Sequence, residues 1–183
     1  MGSQAIDDSV KRLLIVKMSS IGDIAHALPA VSSIRRQMPN IFIGWVVRQR
    51  CACLLDGNPD IDKLFVVPDR GGLRDVARLS SILRAERFDT ALDMQGLAFS
   101  GVVTLLSGAT RRIGMDRNRE GNFLFLTDTS VPGKDANRHA IDIQYGFVEA
   151  LGMKAPVGVS PVAIKPRNRR ASSRACSAVR SIP

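Results

Sequence analysis

A short apolar strand that runs directly into a polar turn and then into an apolar-faced helix is the feature that most constrains this fold. Residues 12–17 (RLLIVK) form an apolar run without alternation, which is typical of a strand buried on both faces. Residues 18–23 (MSSIGD) predict a turn, and residues 24–38 predict a helix with apolar residues along one face. Pro29 lies inside that helix and predicts a kink or a shifted first turn. Together these segments predict one strand–helix step of a parallel sheet.

The same alternation of strand and helix recurs along the chain. Strands are predicted at residues 12–17, 41–47, 63–67, 90–94 and 112–115, and helices at 24–38, 73–87, 98–106 and 138–151. Gly152 follows the last helix as a C-cap. Alternation at this spacing predicts parallel βαβ units with right-handed crossovers. The predicted fold is therefore α/β, a Rossmann-like open parallel sheet with helices on both faces, spanning residues 11–164.

In a sheet of this kind, ligands bind outside the carboxyl ends of the strands. Five predicted loops should meet at that edge, at residues 18–23, 48–50, 68–74, 95–96 and 116–119. These loops also hold many of the polar residues of an otherwise apolar chain. The candidate functional residues are therefore sought among them.

The net charge of +9 first suggests nucleic acid or an anionic membrane as a partner. Six of the basic residues and no acidic residue fall within residues 165–183, so the rest of the chain carries only +3. The single Trp and the single Tyr (Trp45 and Tyr145) both precede this basic segment. Base stacking needs aromatic side chains among the basic ones, which argues against a nucleic-acid-binding module.

Residues 165–183 also differ in pattern from the residues before them. They are rich in Arg, Ser and Ala and have no helical or strand period, which predicts a disordered basic tail. An out-of-frame reading of a GC-rich gene would give such a composition, so a frameshift or a premature end is one interpretation. A natural basic tail is the other.

The cysteine pattern favours a reducing compartment. There are three cysteines and no C-x-x-C pair, which indicates neither a disulfide framework nor a zinc site. No cluster of His, Cys and carboxylate residues has metal-ligand spacing. The polar, acidic start is unlike a signal peptide, and no apolar run approaches the roughly 18 residues of a membrane span. A cytoplasmic protein without a bound metal is expected.

Asp23 follows the first strand within the string SSIGD. A carboxylate at a helix start accepts backbone N–H groups and is stabilised by the helix dipole, so capping is one role for it. A carboxylate at the mouth of the first strand is also placed to take a proton from a hydroxyl as a general base. The spacing alone leaves both roles open.

The turn around Asp23 offers further binding groups. Ser19 and Ser20 can present hydroxyls and backbone N–H groups to an anion, and Gly22 lets the backbone approach a ligand closely. The alternative is a tight strand-to-helix turn with no ligand. The turn contains neither G-x-G-x-x-G nor G-x-x-x-x-G-K-[ST], which argues against a nicotinamide-dependent enzyme or a P-loop ATPase.

Two other loops carry polar candidates. Gln95 and Gly96 follow the fourth strand, where the amide could meet a sugar hydroxyl or simply form a turn. Asp116, Arg117 and Arg119 lie in the last loop, where a guanidinium could bind an acidic group. A solvated charged loop is the alternative for these three.

Four strings of this sequence resemble, in order, the landmarks of the lipopolysaccharide heptosyltransferases, glycosyltransferase family 9: LLIVKMSSIGDIAHALPAV, FDTALDMQGLAFSG, RRIGMDRNREG and RHAIDIQYGFVEALG. The resemblance covers residues 12–162. Its most specific part is the string SS-x-GD-x-x-H-x-LPA.

The resemblance implies a GT-B architecture, in which two Rossmann-like domains face each other across a cleft. The amino-terminal domain would bind an anionic lipid-A–Kdo core of lipopolysaccharide and supply the base, and the carboxyl-terminal domain would bind ADP-heptose. Transfer would invert the anomeric centre without a metal or cofactor, at most in peripheral contact with the inner face of the inner membrane. The family's catalytic aspartate falls on Asp23, its flanking loop on Ser19, Ser20 and Gly22, and its acceptor-side arginine on Arg119.

Two departures from the family pattern matter. The dense basic cluster expected after the third strand is replaced by the dispersed Arg70, Arg74 and Arg78, which leaves the exact acceptor open. The sequence contains one Rossmann pattern and not two, so the donor-binding domain is expected to be missing. The chain is thus either a heptosyltransferase unit or an inactive, truncated remnant that folds and at most binds acceptor.

Overall fold

The computed structural model describes residues 9–70, 72–116, 120–133 and 139–155. Six strands form one sheet: β1 (Arg12–Val16), β2 (Phe42–Arg48), β3 (Lys63–Val67), β4 (Thr90–Asp93), β5 (Arg111–Met115) and β6 (Asp128–Val131). All neighbouring strands are parallel, and their order across the sheet is β3-β2-β1-β4-β5-β6. In a Rossmann sheet of this order the ligand crevice opens where the order reverses, between β1 and β4.

Helices cover both faces of this sheet: α1 (Ile21–Gln37), α2 (Gln49–Leu55), α3 (Leu73–Ala85), α4 (Ala98–Leu106) and α5 (Ala140–Ala150), with a 3₁₀ turn at Asn122–Phe125. Strand β1 shows how both faces are filled. Leu13 and Ile15 belong to a core shared with α1, α2 and α5, while Leu14 and Val16 belong to a second core shared with α3 and α4. All four side chains are fully buried, as expected for a strand that is apolar on both faces. The predicted α/β fold is confirmed.

Helix α1 begins earlier than predicted. Ser20 is its N-cap in an extended conformation, so Ile21, Gly22 and Asp23 form the first helical turn. The prediction of a turn over residues 18–23 is therefore wrong for residues 21–23, which are helical. The reason is that Asp23 accepts hydrogen bonds from Ser20 and so stabilises a helix that begins before it. The helix continues through Pro29, which is buried.

Three elements have no counterpart among the predictions: α2, the 3₁₀ turn and β6. Residues 48–50, predicted as a loop, end β2 and begin α2, whose seven residues are too few to show a helical period. Strand β6 has the sequence DTSV with two exposed residues, so it lacks the apolar alternation of a buried strand. It lies at the edge of the sheet, where such a sequence is tolerated.

The carboxyl-terminal part of the described chain ends as the sequence indicates. Helix α5 is closed by Gly152 in the left-handed conformation, with φ of +75°. The basic segment 165–183 lies outside the described residues. Within those residues, no helix is both long enough and apolar enough to cross a membrane.

Candidate functional site

Asp23 lies at the carboxyl edge of the sheet, at the third position of α1, and its side chain is exposed. One carboxylate oxygen, Oδ2, accepts the Ser20 backbone N–H at 3.0 Å and the Ser20 hydroxyl at 2.9 Å. The carboxylate thus accepts both hydrogen-bond donors of the N-cap residue and is still exposed to solvent. This geometry is compatible with both roles that the sequence left open, the cap and the base.

The surroundings of Asp23 keep it ionised. Burial would by itself raise the pKa of Asp23. The backbone and hydroxyl hydrogen bonds from Ser20, with Coulomb attraction from Lys17 and His26, outweigh that effect and hold the pKa below the ordinary value of an aspartate. Asp23 is therefore a carboxylate at neutral pH, which is the form that accepts a proton.

Gln95 fixes the loop that precedes α1. Its side-chain oxygen accepts the backbone N–H groups of Met18 and Ser19, at 3.0 and 3.1 Å. Because both donors are N–H groups, the side-chain atom that faces them must be the oxygen. Gln95 therefore bridges the loop between β1 and α1 (residues 17–20) and the loop between β4 and α4 (residues 94–97), which we call the first and second crevice loops.

Asp93, which the sequence analysis did not single out, organises the second crevice loop. This fully buried carboxylate ends β4 and accepts the N–H groups of Gln95 and Gly96 at 3.1 and 3.0 Å. It also accepts the Ser100 hydroxyl at 2.9 Å and the Asn122 side-chain amide at 2.7 Å. Burial raises the pKa of Asp93 even against these four donors.

Gly96 has a structural reason to be glycine. Its φ is +74°, a conformation that residues with a Cβ adopt at a cost. That turn aims its N–H at Asp93. Gly96 therefore supports the geometry of the loop, and its contact with a ligand stays a prediction.

Lys17 lies buried between the two crevice loops. Its ammonium donates to the Met94 carbonyl at 2.8 Å, and its own carbonyl accepts the Trp45 indole N–H at 2.8 Å. Burial lowers the pKa of Lys17, while the charges of Asp23 and Asp93 raise it. Sequence reasoning did not single out Lys17 or Asp93. Both could have been found as charged residues at the end of an otherwise apolar strand.

A shallow cavity of about 400 Å³ lies beside Asp23, between the starts of α1 and α2. We call it the α1–α2 cavity; it is lined by Ser20, Ile21, Gly22, Arg50 and Cys51. Ser20 and Gly22 were predicted from the sequence, whereas Arg50 entered only as part of a predicted loop. Open space therefore lies next to the exposed carboxylate of Asp23.

Arg119 and its neighbour Arg117 lie outside the described residues, so Arg119 remains a prediction. Asp116, from the same loop, accepts the Gly133 backbone N–H at 2.6 Å. In the part of the chain that the structure describes, no group of three or more His, Cys, Asp or Glu side chains is arranged to hold a metal ion.

The sequence profile of glycosyltransferase family 9 (heptosyltransferase) matches residues 76–181 of this chain, which is more than half of its length. The chain belongs to glycosyltransferase family 9. The resemblance inferred from the four strings is thereby confirmed.

Two curated relatives agree with this assignment. The lipopolysaccharide core heptosyltransferase OpsX of Haemophilus influenzae is 30% identical over 152 residues, which cover 80% of this chain and 42% of OpsX. Lipopolysaccharide heptosyltransferase 1 of Pseudomonas aeruginosa is 31% identical over 116 residues, which cover 58% of this chain and 33% of the relative. The chain thus spans less than half the length of these relatives.

Solved structures confirm the fold. The Escherichia coli heptosyltransferase WaaC with ADP is similar to this chain with a TM-score of 0.70 and 30% identity, over 84% of this chain and 51% of WaaC. A family 9 glycosyltransferase from Veillonella parvula gives a TM-score of 0.69 at 22% identity. This chain therefore has the fold of about half of a GT-B heptosyltransferase.

Proposed function

We propose that this family 9 chain forms the acceptor side of a heptosyltransferase, with residues 11–164 as the acceptor-binding unit and Asp23 as the general base. The observation that carries the proposal is the exposed, ionised Asp23 carboxylate beside an open cavity at the crevice of the sheet. In this proposal the reaction transfers heptose from ADP-heptose to the lipopolysaccharide inner core.

The chemistry assigned to Asp23 is one proton transfer. As the acceptor hydroxyl oxygen forms its bond to the anomeric carbon of the donor, its proton passes to the Asp23 carboxylate. The bond between the anomeric carbon and the ADP oxygen breaks at the same time, and ADP leaves with that electron pair. Attack on the face opposite the leaving group inverts the anomeric centre.

The low pKa of Asp23 determines at which stage of the reaction the proton of the acceptor hydroxyl moves to the carboxylate. Such a carboxylate is a weak base toward an intact alcohol, but the hydroxyl becomes strongly acidic as its oxygen bonds to carbon. Proton transfer is therefore expected late in the displacement. A single carboxylate held by Ser20 suffices for this step, and the proposal assigns no metal to it.

The donor is proposed to bind mainly through the part of the relatives that this chain does not span. Solved structures exist of the Escherichia coli heptosyltransferase with ADP and with ADP-2-deoxy-2-fluoro heptose, and this chain covers 51% and 52% of them. Stabilising the departing diphosphate requires groups that oppose its charge, which we assign to that other part. The lipid-anchored acceptor would bring the protein into peripheral contact with the cytoplasmic face of the inner membrane.

The same partial coverage favours a second candidate function for the 183 residues taken alone, which is acceptor binding without transfer. Positioning of donor and acceptor supplies several kcal/mol of barrier lowering, on the order of 7–11 in well-oriented systems. A unit that holds only the acceptor would lack that contribution.

The two candidates are separated by a transfer assay. The 183-residue chain and a fusion of residues 1–155 to the second half of a family 9 relative are each incubated with ADP-heptose and a lipopolysaccharide core acceptor, and ADP release and product mass are followed. The proposal predicts transfer by the fusion, unaffected by EDTA, and none by the chain alone. No transfer by a folded, donor-binding fusion would contradict the heptosyltransferase assignment.

A further inference from the structure

Two side chains, one from each crevice loop, join the two loops to each other. The Gln95 side-chain oxygen, from the second loop, accepts the backbone N–H groups of Met18 and Ser19 at 3.0 and 3.1 Å. The Lys17 ammonium, from the first loop, donates to the Met94 carbonyl at 2.8 Å. We call these hydrogen bonds the loop clasp. Because they run in both directions, neither loop can move relative to the other without breaking the clasp.

The clasp is anchored in the centre of the sheet. The Gln95 backbone N–H donates to the carboxylate of Asp93, which is fully buried at the end of β4. Asp93 lies opposite Val16 in the register of β4 and β1, and the buried Lys17 follows Val16 directly. The order of the strands reverses between these two strands. Both ends of the clasp are therefore attached to rigid strand ends.

The clasp reaches the residue that holds Asp23. Ser19, whose N–H is bound by Gln95, directly precedes Ser20, and Ser20 donates its N–H and its hydroxyl to Oδ2 of Asp23 at 3.0 and 2.9 Å. The Arg48 N–H also holds the first loop, but through the Met18 carbonyl, before Ser19 is reached. Gln95 is thus the bridge that extends to the residue next to Ser20.

Two influences that keep Asp23 ionised depend on the position of the first loop. Burial raises the pKa of Asp23, while the hydrogen bonds from Ser20 and the charge of Lys17 lower it, with a smaller contribution from His26 on α1. Arg50 on α2 lines the same cavity as Ser20. Displacement of the loop would weaken the Ser20 hydrogen bonds and move the Lys17 charge. The pKa of Asp23 would then rise toward the ordinary aspartate value.

We propose that Gln95 is a positioning residue for the transfer reaction, because through the loop clasp it fixes Ser20 and through Ser20 the direction of the Asp23 carboxylate. Ser20 occupies Oδ2, and within the described residues no donor is bonded to Oδ1, so Oδ1 is the atom that takes the proton. Misplacement of a reacting group by about 1 Å can lower a rate on the order of 10²-fold. The effect on the rate rests on the proposed function of Asp23; the effect on its geometry does not.

The geometry is tested without catalysis, in the 183-residue chain. Gln95→Met removes the oxygen and keeps the length of the side chain. Hydrogen exchange of the Met18 and Ser19 amides, followed by NMR, should become about tenfold faster or more, since both amides lose their acceptor. The pKa of Asp23, read from the ¹³C shift of its carboxyl group during a pH titration, should rise. Unchanged exchange and an unchanged pKa of Asp23 in a folded Gln95→Met chain would overturn the proposal.

Two variants control for a general loss of structure. Gln95→Glu keeps an oxygen that can accept both N–H groups, so it should retain the slow amide exchange of the wild type. Gln37→Met removes an amide that also bridges two segments, since Gln37 bonds to the backbone of Lys154, but at the amino edge of the sheet. It should leave the Met18 and Ser19 amides and the pKa of Asp23 unchanged. Faster exchange of these amides in Gln37→Met would show that they report on general stability and would overturn the assignment to Gln95.

The consequence for the reaction is measured in the fusion of residues 1–155 to the second half of a family 9 relative. Gln95→Met should lower kcat by about 10–100-fold with little change in the acceptor KM, and Gln95→Glu should restore most of kcat at its pH optimum. Because the pKa of Asp23 rises in Gln95→Met, the acid limb of its kcat profile should move to higher pH. A raised KM with unchanged kcat would make Gln95 a substrate-binding residue and overturn the positioning role.

Failure of this proposal and failure of the proposed function give different results. An active fusion whose kcat and pH profile are indifferent to Gln95→Met would reject the positioning role and leave the transferase standing. A fusion that never transfers heptose would reject the proposed function, while faster exchange and a raised pKa of Asp23 in the Gln95→Met chain would still support the control of Asp23 by the clasp.

Discussion

The substitution Asp93→Asn tests whether the buried carboxylate holds the second crevice loop in place against Ser100 and Asn122. The Oδ1 position must stay an oxygen, because it accepts two backbone N–H groups, from Gln95 and Gly96. The new NH₂ group would then lie where Oδ2 was, 2.7 Å from the Asn122 amide nitrogen, so that two donors face each other. Ser100 can adapt, because a hydroxyl both donates and accepts.

Asn122 cannot repair this mismatch by turning its amide over. Its nitrogen also donates to the Leu97 carbonyl at 2.9 Å, and a reversed amide would set two acceptors against each other there. One buried hydrogen bond is lost in either orientation, at a cost of about 1–3 kcal/mol. Loss of charge assistance adds to that cost, and relief of the buried charge of Asp93 offsets part of it.

The expected net loss for Asp93→Asn is about 2 kcal/mol in the free energy of unfolding, or a fall of about 4–8 °C in Tm. Urea and thermal unfolding followed by circular dichroism measure it. Glu149→Gln, an exposed site on α5, is the control and should change stability by no more than about 0.5 kcal/mol. In an Asn122→Ala background the effect of Asp93→Asn should shrink by about 1 kcal/mol. An unchanged or more stable Asp93→Asn protein would refute this reasoning and show that burial of the charge outweighs its hydrogen bonds.

Four further outcomes follow from the same structure. Gly101→Ala should lose about 1–3 kcal/mol in urea unfolding, since its Cβ would lie 2.6 Å from Phe125. Gly22→Ala should instead gain about 0.5–1 kcal/mol, as its Cβ meets nothing and Ala favours helix. Since the pKa of Asp23 is lowered, its contributions to stability and to the transfer rate should persist at neutral pH and fade only as pH drops below the usual aspartate range. Deleting residues 166–183, which lack an apolar period, should leave the Tm nearly unchanged in a thermal scan.

Long apolar patterns made most of the fold predictable from the sequence. β3 and α4 have the predicted bounds, and β1 was recognised because an unbroken apolar run must be buried on both faces. The gathering of the predicted loops at one edge of the sheet followed from the parallel topology. α2 and β6 were missed because a seven-residue helix and a polar edge strand are stabilised by their neighbours and leave no period of their own.

The candidate site was predictable only where its residues are close together in the sequence. Asp23, Ser20 and Gly22 are adjacent in sequence, so one motif placed them together. The contacts of Asp93 with Asn122, and the position of Arg50 beside Gly22, join residues far apart in the chain and depend on the packed sheet. Gln95 lies in a loop at the carboxyl edge of the sheet and its side-chain oxygen binds the neighbouring loop, a contact that the sequence does not show.

The role of Asp23 as the base is measured most directly by the initial rate of heptose transfer by the Asp23→Asn variant of the fusion of residues 1–155 to the second half of a family 9 relative. An Asn oxygen still accepts the Ser20 N–H, so the cap is retained, but the amide takes no proton. If Asp23 is the base, the variant should fold, bind the acceptor with unchanged affinity and have a kcat lower by about 10²–10⁴-fold. A folded Asp23→Asn fusion that transfers heptose at the full rate would show that Asp23 is a helix cap alone and not the base.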